Sequence, residues 1–151
     1  MIELYSEDDW ITIPEIDDFM EKYDTHGVFK TRHGWKDNFI LHFKKIIATN
    51  QILTLRDGEK LVGLCSWAIV DEQRKKDINK TTWALPDNIV DGNILYIDVC
   101  LIKSPASIYK FKRFLDRKVR PNVNEIFWFN SPGGRVYRLM LKGGVPCQTA
   151  A

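Results

Sequence analysis

A single carboxylate interrupts one of the two longest apolar stretches of this chain. Asp98 lies in the middle of Ile94–Ile102, a run rich in β-branched and aromatic residues that predicts a strand buried on both faces. Removing a lone charge from water costs several kcal/mol, so a buried Asp98 must be paired, hydrogen-bonded or protonated. Asp98 is therefore the strongest candidate for a functional residue.

Three histidines precede Asp98 and are its candidate partners. We expect His33 to be the closest, because the helix that follows it should pack beside the strands and bring its loop over them. His26 lies in the same loop and is the competing base, whereas His42 shares a helix with an apolar stripe, which favours a structural role. A histidine held by a carboxylate can act as a general base. The alternative is that Asp98 accepts hydrogen bonds from the backbone or Tyr96 and only shapes the sheet.

Strand alternation predicts which side chains accompany Asp98. Successive side chains of a strand point to opposite faces, so Asp98 should share a face with Tyr96 and Cys100. The opposite face should carry Ile97, Val99 and Leu101. We expect Asp98 to point into a cleft, because leaving the face with the carboxylate partly exposed to solvent costs less free energy than burying it.

Periodicity and turn signals predict the remaining elements. The predicted elements are helices beginning at Thr12 and near Trp35, strands over 51–55, 61–70, 94–102 and 125–129, a helix from Ser104, a closing helix over 135–142 and a tail over 145–151. A strand–helix–strand unit requires a parallel strand pair. The fold class is therefore α/β, a mixed sheet with an antiparallel hairpin at one side, a parallel pair at the other and packed helices.

In open α/β sheets, ligands bind at the carboxyl ends of the strands, near helix N-termini. The loops Ser104–Ser107 and Asn130–Gly134 should surround one such site. Ser104, Ser107 and Asn130 are the candidate cofactor-binding residues.

Composition bounds the class of protein. A chain of 151 residues that is 44% hydrophobic fits a single domain over 1–151, and a net charge of +2 is too small to indicate a nucleic-acid partner by itself. No apolar run approaches the roughly 18 residues of a membrane span, and the acidic N-terminus lacks a signal-peptide pattern. Three cysteines without metal-ligand spacing favour reduced thiols in a cytoplasmic protein, with Cys65 and Cys100 as small core residues.

The helix after Ser104 has two contrasting faces. Ile108, Phe111 and Leu115 form its expected buried stripe, and the exposed face is basic, with Lys110, Lys112, Arg113 and Arg117. A solvated surface is one interpretation of the basic face. A docking surface for an acidic partner is the other.

The predicted order of elements resembles the GNAT superfamily of acyltransferases over about the last hundred residues. A narrower similarity, over roughly 30–118, is to the lysine acyltransferases that activate RTX toxins. It is carried by Gly63-Leu64-Cys65-Ser66-Trp67-Ala68, by Leu95-Tyr96-Ile97-Asp98-Val99 after Gly92, and by His33-Gly34-Trp35.

This resemblance implies transfer of an acyl group from acyl carrier protein or acyl-CoA to an amine such as a protein lysine, with no permanently bound cofactor. It implies His33 and Asp98 as catalytic residues. Tyr137, seven residues after Asn130, would be the general acid, although counting back from Gly143 points to Leu139 instead. The acidic acyl carrier protein would be a partner.

A non-catalytic reading also fits the sequence. GNAT-like domains occur as small virion or assembly proteins of tailed phages, and the loop Lys103–Ser107 lacks the glycines of the superfamily's pyrophosphate loop. A virion-associated protein acting through protein contacts is therefore the alternative. An open pocket with Asp98 and a histidine would favour the enzyme, and a pocket filled by side chains would favour the scaffold.

Overall fold

The fold is taken from a computed structural model, which describes residues 1–23, 35–78, 92–119, 123–130, 135–142 and 145–150. In chain order the elements are β1 (Ile2–Tyr5), α1 (Ile13–Tyr23), α2 (Trp35–Ala48), β2 (Ile52–Asp57), β3 (Lys60–Val70), α3 (Glu72–Asp77), β4 (Ile94–Ile102), α4 (Ile108–Lys118), β5 (Glu125–Asn130), β6 (Arg135–Lys142) and β7 (Val145–Ala150). A single 3-10 turn, Pro105–Ser107, precedes α4.

The described strands form one seven-stranded sheet in sequence order, β1 to β7. Neighbouring strands are antiparallel except β4 and β5, which are parallel and are joined by the crossover through α4. The prediction of a mixed sheet with an antiparallel hairpin and one parallel pair is confirmed. The β2–β3 hairpin turns at Gly58 and Glu59, and Gly58 has the positive φ that a glycine-first two-residue loop requires.

Helices cover both faces of the sheet. The first face packs against α1 and α2 through a core that includes Ile16, Phe43, Leu64 and Val99. The second face packs against α4 through Phe111 and Leu115, together with Leu53, Cys65 and Leu95. The strands in the middle of the sheet are therefore buried on two sides, as their continuous apolar runs predict.

Thr12 is the N-cap of α1. The hydroxyl of Thr12 accepts a hydrogen bond from the backbone N–H of Glu15 at 3.2 Å. Ile16, Phe19 and Met20 then face the core. The predicted start of a helix at Thr12 is confirmed.

An ion-pair cluster attaches the N-terminal segment and α1 to the sheet. Arg56 of β2 is 3% exposed and donates to Asp8 and Glu15, with the shortest N–O distance 2.6 Å in each case. Thr54 donates to the same Asp8 oxygen at 2.7 Å. Burial alone would raise the pKa of Asp8, but the hydrogen bonds from Arg56, Thr54 and the Trp10 backbone outweigh it and lower the pKa.

Two sequence predictions for the C-terminal region are wrong. Residues 135–142 form strand β6 instead of a helix, and 145–150 form strand β7 instead of a tail. Lys142 is paired directly with Val145, so two residues connect the strands. A Gly-Gly dipeptide between two apolar runs is a hairpin signal as well as a helix C-cap, and the hairpin reading is the one this chain follows. Strand β1 was not predicted.

The predicted pattern of α4 is correct except at its first turn. Phe111 and Leu115 are buried, and the four basic residues named above are exposed. Ile108, expected in the stripe, is 44% exposed. The reason is that the 3-10 turn after Ser104 delays the α-helix, so Ser107 and not Ser104 precedes its first residue.

Replacing Asp8 with asparagine should lower the free energy of unfolding at pH 7 by about 1–3 kcal/mol, because it removes one of the two carboxylates that compensate the buried Arg56 while Glu15 stays paired. Since the pKa of Asp8 is lowered in the folded protein, its contribution is present above the pKa of the unfolded chain. That contribution should disappear as the pH falls through the folded value. Urea unfolding of both proteins between pH 7 and pH 2 measures it.

Lys112→Met is the matched control, because Lys112 is paired with Asp116 on the surface of α4 and its side chain is 66% exposed. Its loss should cost less than about 0.5 kcal/mol. Equal costs for the two substitutions would show that the Arg56 cluster does not anchor the N-terminal segment.

Candidate functional site

Asp98 of β4 forms a buried pair with His42 of α2. His42 Nε2 lies 2.9 Å from Asp98 Oδ2, and the two side chains are only 4% and 3% exposed. The other carboxylate oxygen, Oδ1, accepts a hydrogen bond from the hydroxyl of Tyr96 at 3.1 Å. The requirement that a buried carboxylate be paired and hydrogen-bonded is met by residues from two different elements.

The pair sits at a bulge in the β3–β4 ladder. Ser66 is opposite Val99 and Trp67 is opposite Ile97, so Asp98 has no partner residue on β3. The Ser66 hydroxyl accepts a hydrogen bond from the Val99 backbone N–H at 3.1 Å and lies 3.5 Å from Asp98 Oδ2, to which it can donate. The serine thus satisfies an amide group displaced by the bulge and contacts the carboxylate as well.

The bulge also changes the alternation of side chains along β4. Tyr96 and Asp98 lie together as predicted, but Val99 and Leu101 pack into the core of α1 and α2. Cys100 instead lies directly opposite Cys65, which belongs to the core under α4. The predicted partition of faces is therefore wrong after Asp98, because an extra residue reverses the parity of a strand.

Asp98 is also more buried than predicted. We expected its face of the strand to open into a cleft, yet the residue is 9% exposed. The cause is the helix α2, whose His42 covers the carboxylate together with the hydroxyl groups of Tyr96 and Ser66.

Next to this pair, the parallel strands β4 and β5 stop pairing. Their register runs from Ile94 opposite Glu125 to Ile97 opposite Trp128, but β4 continues to Ile102 and β5 to Asn130. Asp98 is the first residue of β4 beyond the paired part. The carboxyl ends of these strands are where α/β sheets bind ligands.

The predicted site residues fall in different places. His33 and His26 lie outside the described residues, so His33 as the partner of Asp98 stays a prediction. Ser104 is partly buried and Ser107 is 8% exposed, and the two are joined by a hydrogen bond from Ser107 N–H to the Ser104 carbonyl. Asn130 ends β5, and Tyr137 lies on β6 opposite Trp128 in place of the predicted helix.

The sequence analysis did not predict that His42 contacts Asp98. Phe39, Phe43 and Ile46 are all buried on α2, and His42 lies on the same side of the helix with them. A histidine inside an apolar stripe must find a polar partner when the stripe is buried. The position of His42 among Phe39, Phe43 and Ile46 can be read from the sequence. It indicates that His42 pairs with a carboxylate of the sheet.

Within the described part of the chain, no cluster of histidine, cysteine or carboxylate side chains could hold a metal ion. None of its helices is long and apolar enough to cross a bilayer.

Ser66→Ala should weaken the bulge more than it weakens the rest of the sheet. The substitution leaves the Val99 N–H without its side-chain acceptor, which costs about 1–3 kcal/mol for a buried group. Hydrogen exchange at the Val99 amide should therefore accelerate relative to the amides of the β2–β3 pair, such as Leu55. A uniform acceleration at both places would mean that the serine acts only through global stability.

No protein-family profile matches the chain, and no curated protein matches its sequence. Solved structures do match it. PH1933 of Pyrococcus horikoshii OT3 is similar with a TM-score of 0.55 at 11% identity, over 86% of this chain and 78% of that one. The loading GNATL domain of CurA from Lyngbya majuscula is similar with a TM-score of 0.50 at 11% identity, over 86% of this chain and 65% of that one.

A GCN5-related N-acetyltransferase from Kribbella flavida is similar with a TM-score of 0.51 at 9% identity. This likeness covers 87% of the present chain but only 31% of that protein, so the chain spans less than a third of its length. At such identities a structural likeness establishes the fold. The chain has the mixed α/β fold of the GCN5-related N-acetyltransferases.

Proposed function

We propose that this protein transfers an acyl group from a thioester donor, acyl-CoA or acyl carrier protein, to an amine such as a protein lysine. The observation that carries the proposal is the contact between His42 and Asp98, 2.9 Å apart, where β4 leaves its pairing with β5. The fold supports it, since one structural neighbour is named an N-acetyltransferase. Such a donor implies action in the cytoplasm.

The His–Asp pair supplies the proton acceptor that this reaction needs. A neutral imidazole carries one N–H, and a carboxylate accepts it, so Nε2 donates to Asp98 and the basic lone pair belongs to Nδ1. Removing a proton from the attacking ammonium or amine lets nitrogen form the bond to the thioester carbonyl. Asp98 fixes the ring and stabilises the imidazolium that results.

The second half of the reaction breaks the carbon–sulfur bond and releases a thiol. Tyr137 is the proposed donor of the proton to the leaving sulfur. Ser104, Ser107 and Asn130 are the proposed contacts of the acyl donor, since the two serines follow the carboxyl end of β4 and Asn130 is the last residue of β5.

His33 is retained as the alternative base. It has no described position, and the family resemblance favours it, whereas the geometry favours His42. The two assignments differ in a measurable way, because only one of the two histidines should set the acid limb of the pH–rate profile, where kcat/KM rises as the base loses its proton.

Asp98→Asn and His42→Gln should each lower kcat/KM for thiol release by about 10²-fold or more, the usual range for loss of a general base. The assay follows free thiol from acetyl- and octanoyl-CoA and from octanoyl-acyl carrier protein, with lysine-rich peptides as acceptors. His33→Gln is the matched control. If His42 is the base, His33→Gln keeps the acid limb of the profile unchanged.

Donor binding is measured beside activity to separate the two steps. A donor at a hundred times its Kd should stabilise the fold by about 2.7 kcal/mol, which a thermal shift detects. Asp98→Asn and His42→Gln should retain this shift while losing turnover. Full turnover in both variants would contradict the assignment, and the absence of any shift or turnover with all three donors would contradict acyl transfer itself.

The basic face of α4 is the proposed contact for an acidic acyl carrier protein. Lys110, Lys112, Arg113, Arg117 and Lys118 are all exposed on it, against one acidic residue, Asp116, which is paired with Lys112. Opposite charges on the two surfaces would speed association and set the orientation of the carrier.

Binding of the carrier to this face should weaken with salt. The screening length falls from about 8 Å at 0.15 M to about 3 Å at 1 M ionic strength, so the Kd should rise steeply over that range. The double substitution Lys112→Glu and Arg113→Glu should raise the Kd at a given salt concentration, whereas Lys44→Glu on the exposed surface of α2 should not. A Kd that is indifferent to salt and to both changes would remove the docking assignment and leave the chemistry untouched.

A non-catalytic role in protein assembly is the second candidate, and the burial of the pair favours it. Side chains that are 4% and 3% exposed fill the space that an open active site would leave to substrate. In that case His42 and Asp98 tie α2 to the sheet, and the basic face of α4 contacts an assembly partner. Intact stability of Asp98→Asn would argue against this role, since breaking a buried pair is strongly destabilising.

A further inference from the structure

Two cysteines face each other across the strands that carry the candidate site. Cys65 of β3 and Cys100 of β4 are directly opposite in the antiparallel register. Opposite residues in such a ladder have Cα atoms about 4.5–5.5 Å apart and side chains on one face. A disulfide needs Cα atoms about 4.4–6.8 Å apart, so the backbone already holds the two residues within bridging range.

The two thiols differ in access. Cys65 is 1% exposed, whereas Cys100 is exposed, which corrects the expectation that both are core residues. Cys100 lies on the part of β4 that has no partner on β5. An oxidant from solution therefore reaches Cys100 first.

The two thiols also differ in acidity. A hydrogen bond from the Cys65 thiol lowers the pKa of Cys100, which outweighs the opposing effect of desolvation. The same contact raises the pKa of Cys65, together with burial and the nearby charges of Cys100 and Asp98. Reactive redox cysteines are accessible, acidic and placed beside a second thiol that resolves the oxidised product, and the pair has all three properties.

We propose that Cys65 and Cys100 form a peroxide-sensitive thiol pair, in which Cys100 is oxidised first and Cys65 closes a disulfide across β3 and β4.

The chemistry balances with a hydroperoxide as the oxidant. The Cys100 thiolate attacks the terminal peroxide oxygen, the O–O bond breaks, and Cys100 becomes a sulfenic acid while the other oxygen leaves as an alcohol or as water. The Cys65 sulfur then attacks the sulfenic sulfur, loses its proton, and expels the oxygen as water. The two thiols lose two electrons and two protons, and the peroxide accepts both.

The disulfide would act on the bulge beside it. Cβ atoms of a disulfide are about 3.8 Å apart, closer than the 4.5–5.5 Å of an ordinary opposite pair, so closure draws β3 and β4 together. Cys65 is adjacent to Ser66, and Cys100 is two residues from Asp98, the residues whose hydrogen bonds define the bulge. A change in acyl transfer on oxidation rests on the proposed function, but formation of the disulfide does not.

The test treats the full chain with hydrogen peroxide, quenches with an alkylating agent and maps the peptides by mass spectrometry. The expected product is an intramolecular Cys65–Cys100 disulfide, two hydrogen atoms lighter than the thiol form and reversed by dithiothreitol. Cys65→Ser should stop the reaction at a Cys100 sulfenic acid that dimedone captures. Cys100→Ser should leave Cys65 reduced.

A kinetic measurement tests whether the Cys65 thiol makes Cys100 more reactive. Cys65→Ala removes the donor to Cys100, so alkylation of Cys100 by iodoacetamide at pH 7 should become several-fold slower, whereas at pH 10 the rates should converge. Cys65→Ser, which keeps a donor, should lie nearer the natural protein. Equal rates in all three proteins at pH 7, or oxidation that joins Cys100 to Cys147 or to a second chain, would overturn the proposal.

Discussion

The cost of burying a carboxylate governs the centre of this protein. Asp98 lies at the heart of a sheet covered by helices, and its charge is compensated by His42, Tyr96 and Ser66. Each of these groups comes from a different place: a helix, the same strand and the neighbouring strand. An uncompensated buried charge would cost several kcal/mol, so the packing of α2 and the pairing of β3 with β4 are coupled through one side chain.

The bulge at Asp98 has consequences on both faces of the sheet. On the first face it places Asp98 and Val99 toward α1 and α2, where His42 reaches the carboxylate. On the second it places Cys100 opposite Cys65. The bulge also lies where β4 and β5 stop pairing. Asp98 and Cys100 are therefore both on the part of β4 that has no partner on β5. Bulges commonly change the direction of side chains next to active sites. This bulge positions both the His42–Asp98 pair and the Cys65–Cys100 pair.

The sequence predicted most of the fold because its signals are strong where packing is regular. Continuous apolar runs located the strands of the hairpin and β4, and the helix predicted to begin at Thr12 is α1. Residues 135–142 were misassigned because Gly143-Gly144 suits a helix end and a hairpin equally. The site was predicted in part. Asp98 was identified as a carboxylate that must be paired, but strict alternation cannot reveal a bulge. His42 was assigned a structural role because it shares a helix with an apolar stripe, and its contact with Asp98, 56 residues away, depends on tertiary packing.

The central claim is that Nε2 of His42 donates a hydrogen bond to the Asp98 carboxylate, which holds the ring in one orientation. Nitrogen-15 NMR of the imidazole measures this directly, because protonated and unprotonated ring nitrogens have well-separated shifts. We expect a single ring state with a slowly exchanging proton on Nε2, both lost in Asp98→Asn. An Nδ1–H tautomer, or the rapidly averaged mixture of a solvated histidine, would contradict it.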